Sequence, residues 1–171
     1  MNLSAPIRFE CEDLMSRKYL SDTLKAYLKE PFVALCIGSD KSISDSLGPF
    51  CGMFLKKYSN IPVYGTLEKP VHRANLAFTM DVIRLLHPKH TVLAVDAAFG
   101  IRDLSGSIMF IEDGVIPASE FESVDYKAGD IAVIGVTDYP GSDRDWLNKV
   151  RISTVYDMAQ MIAMSIIDAG T

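Results

Sequence analysis

Three short runs constrain this chain more than anything else in it: FVALCIG, HTVLAVDAAFG and DIAVIGVTD. Each is apolar almost throughout instead of alternating, and strands of that kind are buried on both faces. Two shorter runs, IPVYGT and GSIMFIEDG, read as further strands. Between them lie stretches with helical spacing. CEDLMSRKYLSDTLKAYLKE carries Leu14, Leu20, Leu24 and Leu28 and is stopped by Pro31. LGPFCGMFLKKY accepts Pro49 in a first turn, and HRANLAFTMDVIRLLH is stopped by Pro88. WLNKVRISTVYDMAQMIAMSIIDAG closes the chain as a helix expected to begin near Ser142 or Asp143. Helices alternating with fully apolar strands predict an α/β fold. The expected form is a single three-layer α/β/α domain over residues 1–171 with a mostly parallel central sheet.

At 171 residues and 49% hydrophobic, the chain has the material for one real core. The net charge of -5 argues against a nucleic-acid binder, which needs a basic face for phosphates. No apolar run is long enough to cross a bilayer, and the acid-containing start does not read as a secretory signal. Cys11, Cys36 and Cys51 match no zinc spacing; Cys36 and Cys51 read as buried thiols of a cytosolic protein.

In open parallel sheets, sites form beyond the carboxyl ends of the strands. The loops after Ile37, Tyr64 and Val95 are expected on that edge. The first holds Asp40 and Asp45, in GSDKSISDSLGPF; the second holds Thr66, Glu68 and His72, in YGTLEKPVHRAN; the third strand is expected to end at Asp96. Asp45 precedes a helix, where aspartate is also a favoured N-cap. Asp96 follows Leu93, Ala94 and Val95 directly, so its carboxyl would be partly buried and in need of a partner. Two carboxylates about 4 Å apart repel by about 4 kcal/mol at an effective dielectric of 20, about three pKa units. One would keep its proton near neutral pH while the other ionised, the arrangement of a general acid and a general base. The same pair could instead hold a divalent cation with Glu68 or His72. His72 alone reads as a hydrogen-bonding loop residue. There is no dinucleotide or Gly-Lys-Ser phosphate loop and no Gly-x-Ser-x-Gly elbow. Ser39, Ser42, Ser44 and Ser46 read as loop polars, Tyr139 to Asp145 as a turn, and Met158, Met161 and Met164 as core or interface.

At IGSDKSISDSLGPF, YGTLEKPVHRANL and VLAVDAAFG the chain resembles the YyaC-type sporulation proteins of spore-forming bacteria, from about Val33 to about Val136 and more loosely through the last helix. That group is similar to the spore germination protease and, more distantly, to the hydrogenase maturation proteases. The resemblance implies a phosphorylase/hydrolase-like, germination protease-like fold. The Asp-x-Leu-Gly-Pro loop and the strand-end Asp-Ala of the germination protease carry aspartates implicated in catalysis. They match Asp45 and Asp96, which singles out Asp45 over Asp40. Gly38, Asp40, Gly48, Gly65, Thr66, Glu68 and His72 would shape the cleft. The hydrogenase maturation proteases hold a metal with an acid beside the first position, an acid matching Asp96 and a later histidine. Here Ser46 follows Asp45 and no histidine follows His90, so that set is incomplete. The expectation is a sporulation-associated peptidase of the spore or forespore cytoplasm acting on a small disordered protein or peptide, with no cofactor required and a divalent metal as an option. A non-catalytic binding or scaffold protein and a metal-dependent hydrolase are the alternatives. A homo-oligomer could form through an exposed face of the last helix.

Overall fold

The computed structural model describes residues 6–99, 105–112, 127–138 and 151–170. The elements run β1 (Ile7–Glu10), α1 (Ser16–Tyr27), β2 (Phe32–Cys36), α2 (Leu47–Tyr58), β3 (Val63–Tyr64), α3 (Leu76–Leu86), β4 (Thr91–Phe99), β5 (Ser107–Ile111), β6 (Ile131–Asp138) and α4 (Ile152–Ala169). The strands form one sheet in the order β1-β5-β6-β4-β2-β3. The β3–β2, β2–β4 and β4–β6 pairs are parallel, while β5 pairs antiparallel with β6 and with β1. The expected mostly parallel α/β sheet is therefore present.

The period of two along the strands divides the core. Phe32, Ala34 and Cys36 of β2 and Leu93 and Val95 of β4 face a cluster built with α1, α2 and α4. Val33 and Leu35 of β2 and Val92 and Ala94 of β4 face a second cluster built with α3. Both faces of these strands are covered, which is why their sequences do not alternate. Met158 is fully buried, and Met161 and Met164 pack on the first cluster, so the methionine stripe of α4 is core.

Several element ends differ from the sequence expectation. β1 was not expected; only Phe9 of its residues is buried, too short a signal to read. α1 starts at Ser16, because a turn at Asp13, whose Oδ1 accepts the Met15 N–H at 2.9 Å, precedes it. Leu14 lies in that turn and is 95% exposed. α4 begins at Ile152, since Arg151 is extended, and not near Ser142 or Asp143. The expected turn at Tyr139 to Asp145 falls outside the described residues. β4 continues past Asp96 to Phe99, because β6 keeps pairing with it after β2 has left at Cys36.

Candidate active site

Asp96 is a strand residue and not a strand-end one. Its register partner on β6 is Ile134. On its other side Ile37, just beyond β2, donates its N–H to the Val95 carbonyl at 2.7 Å. Period two puts Asp96 on the same face as these two isoleucines, so its carboxyl is flanked by apolar residues, and the residue is 9% exposed. The N–H of Ala97 donates to its Oδ1 at 2.8 Å. Burial pushes the Asp96 carboxyl up to about 7; the Ala97 N–H works against this, and the charge of Asp45 adds to it.

Asp45 sits in a short 3-10 turn, Ser44–Ser46, that runs directly into α2. It does not cap that helix: the N-cap position is Ser46, whose hydroxyl donates back to the Ile43 carbonyl at 2.7 Å. The half-buried Asp45 carboxyl is raised by burial, then held down by a Ser39 N–H and by the charge of His72. The Ser39 N–H also reaches the Asp45 main-chain carbonyl at 3.0 Å. The turn is locked against the sheet through Gly38, at φ +142, whose N–H donates to the Val71 carbonyl at 2.8 Å. A Cβ at Gly38 would collide with the Asp45 carbonyl. Gly48, in the first turn of α2, lies against the Ile37 carbonyl in the same way.

Val71 forms a parallel bridge with Ile37, which brings the second loop to the same edge. His72 follows it. Its main-chain N–H donates to Asn75 Oδ1 at 2.8 Å, and its Nδ1 accepts the Ala74 N–H at 3.3 Å. The loop residue is thus hydrogen-bonded, as its type suggests, and also close enough to Asp45 to act on its charge.

Gly65, at φ +94, seats its loop directly on the Cys36 carbonyl at the end of β2. Thr66 is buried and braces the same loop: its N–H donates to the Lys69 carbonyl at 3.1 Å, and its Oγ1 accepts the Lys69 N–H at 3.2 Å. Glu68 and Asp40 are exposed. The Glu68 side chain is 81% exposed and lies 3.9 Å from Lys56, in the last turn of α2, the opposite end of that helix from Asp45. The structure therefore gathers Asp45, Asp96 and His72, frames them with Gly38, Gly48, Gly65 and Thr66, and leaves Asp40 and Glu68 in solvent.

One participant, Ser39, and one buried polar group, Thr137, were not singled out from the sequence. Ser39 acts through its main-chain N–H, which no residue type advertises. Thr137 is 5% exposed, and its Oγ1 has no hydrogen-bond partner. It falls where the β4–β6 register shifts, since Ala98 pairs Val136 and Phe99 pairs Asp138. Among the described residues no three His, Cys, Asp or Glu side chains converge to hold a metal ion. Two open cavities, of about 420 and 380 Å³, lie at the amino ends of the strands around His90, away from the aspartates. No helix of the described residues is long and apolar enough to cross a membrane.

Residues 8–165 match the model of a family described as "Protein of unknown function (DUF1256)". The chain belongs to that family. It is also 34% identical over 147 residues to the Uncharacterized protein YyaC of Bacillus subtilis (strain 168), an alignment covering 84% of this chain and 72% of that protein. The DUF1256 match takes in every strand but the first residue of β1, and it includes Asp45, His72 and Asp96. The YyaC-type resemblance read from the loops is therefore a family relationship.

Proposed function

We propose that this chain is a peptidase in which Asp45 and Asp96 act on one water molecule. The observation that carries the reading is the unequal treatment of two neighbouring carboxyls. Asp96 is buried and pushed up to about 7, while burial raises half-buried Asp45 as well but a main-chain N–H and His72 work against that rise. Pairs pushed apart in this way divide into an acid and a base. Asp45, ionised, takes a proton from water as its oxygen bonds to the peptide carbonyl carbon. Asp96, protonated, gives its proton to the departing amine as the C–N bond breaks. The proton held by Asp45 then restores Asp96, and water is the only species consumed. His72 keeps Asp45 charged. The resemblance to the germination protease supports a small disordered protein or peptide as substrate and a sporulation setting.

The test is cleavage of a small acid-soluble spore protein by the purified chain, read by mass spectrometry beside Asp45→Asn and Asp96→Asn. General acid–base groups contribute about 10²- to 10⁴-fold each. Cleavage by the parent that falls at least a hundredfold in both variants supports the peptidase. Binding of the substrate without cleavage, unchanged in the variants, points to the binding-protein reading instead.

A further inference from the structure

α3 is apolar on two opposite sides. Its inner stripe, Leu76, Thr79, Met80 and Ile83, is buried on the sheet. Its outer stripe holds Phe78 at 73% exposure, Leu85 at 78% and Leu86 at 61%, with half-buried Val82 between them. These positions follow the i, i+4, i+7, i+8 spacing of a single helix face. α1 shows what a solvated helix looks like in this fold: its exposed positions include Arg17, Lys18, Asp22 and Lys25. Along α3 the only exposed charges are Asp81 and Arg84, one of each sign, with Arg84 Nη1 3.6 Å from Asp81 Oδ1. A contiguous apolar face of this kind marks an interaction surface.

We propose that the outer face of α3 pairs with the same face of a second copy of this chain, antiparallel about a two-fold axis near Val82. The pattern is self-complementary about that point. Phe78 and Leu86 lie equally far on either side of Val82, and Asp81 and Arg84 straddle it. At about 100° per residue both charges fall on one flank of the apolar stripe. In an antiparallel two-fold pair the like flanks of two helices meet, so Asp81 of each copy faces Arg84 of the other, and Phe78 of each packs on Leu85 and Leu86 of the other. A parallel pair would set that charged flank against Leu86. α3 suits this purpose better than α4, because α4 packs against both α1 and α2. The pairing is independent of the peptidase reading.

Sedimentation velocity of the full chain over about 1–100 μM, the range of moderate dimers, is the test. The expected result is a dimer. Phe78→Asp and Leu85→Asp, both exposed positions, weaken its Kd by at least about a hundredfold and keep the parent's circular dichroism. Asp81→Arg places two arginines together and weakens the dimer by at least about tenfold; Asp81→Arg with Arg84→Asp restores it. A parent that stays monomeric across the range, a dimer indifferent to Phe78→Asp and Leu85→Asp, or a double swap that does not recover the dimer would each overturn the proposal.

Discussion

The charge of Asp45 reaches Asp96 and helps hold the Asp96 carboxyl near 7. Asp45 comes from a turn and Asp96 from the interior of β4, and they are brought near each other because Gly38 lets the Asp45 turn fold back over the end of β2. The consequence for stability has a definite sign. Asp96 would titrate at its ordinary value of 3.8 when unfolded and at about 7 when folded. Between those values the unfolded chain has lost the proton and the native chain keeps it. Stability therefore falls as pH rises from near 4 to about 7 and levels off above, by about 4 kcal/mol in all. In Asp96→Asn, which still accepts the Ala97 N–H, that slope flattens and the protein is more stable than the parent at pH 8. Urea titrations at several pH values measure this. An unchanged slope in the variant would show that Asp96 is not the group responsible. In Asp45→Asn the midpoint of the Asp96 transition moves down, because a repelling charge is gone.

His72 acts on Asp45 in the opposite direction, since its charge favours the ionised carboxyl. Replacing His72 with alanine should raise the Asp45 pKa and leave the fold intact, because the His72 main-chain N–H still bonds Asn75 Oδ1. Carboxyl carbon NMR titration of the parent and His72→Ala reads the shift directly. A fall in the Asp45 value would remove His72 from the site.

Two glycines with positive φ separate conformational cost from collision. A Cβ at Gly106, at φ +85, meets nothing within 4 Å, whereas one at Gly38, at φ +142, collides with the Asp45 carbonyl. Gly106→Ala should cost about 1 kcal/mol from backbone conformation alone. Gly38→Ala adds a clash with main chain that cannot rotate away and should cost at least about 3 kcal/mol. It should also release the coupling of Asp45 to Asp96. Chemical denaturation gives both costs; equal losses would mean that the Asp45 turn is looser than its packing indicates.

The layers of the fold were readable because β2, β4 and β6 are buried on both faces and their residues record that. The ends of elements were not, because tertiary pairing decides them: β4 outruns Asp96 only because β6 stays beside it. The aspartates were visible as charges placed directly after apolar runs. What each one contacts was not, since Ser39 contributes a main-chain N–H and the close approach of Gly38 to the Asp45 carbonyl depends on chain reversal. Glu68 shows the limit most plainly. It shares a loop with Thr66, yet two residues of separation take one into the core and the other to Lys56 in solvent.

The thiols supply a last check on the packing beneath this edge. Cys36, at the end of β2, and Cys51, in α2, are both fully buried. Burial holds the Cys51 thiol well above its usual range, and the hydrogen bond and charge of Cys36 add to this. Cys11 is partly exposed, and burial, then Asp157 and Glu12, raise its thiol as well. The thiolate is the nucleophile that attacks a thiol reagent, so reaction requires exposure and ionisation together. At pH 8 a colorimetric thiol reagent should modify Cys11 slowly in the native chain and reach Cys36 and Cys51 only through opening of the structure. Their rates should then track global unfolding as denaturant is added. Fast native-state labelling of Cys51, located by peptide mass mapping, would mean that α2 lifts from β2 without unfolding. It would also mean that the Asp45 turn, which leads into α2, is not held in place.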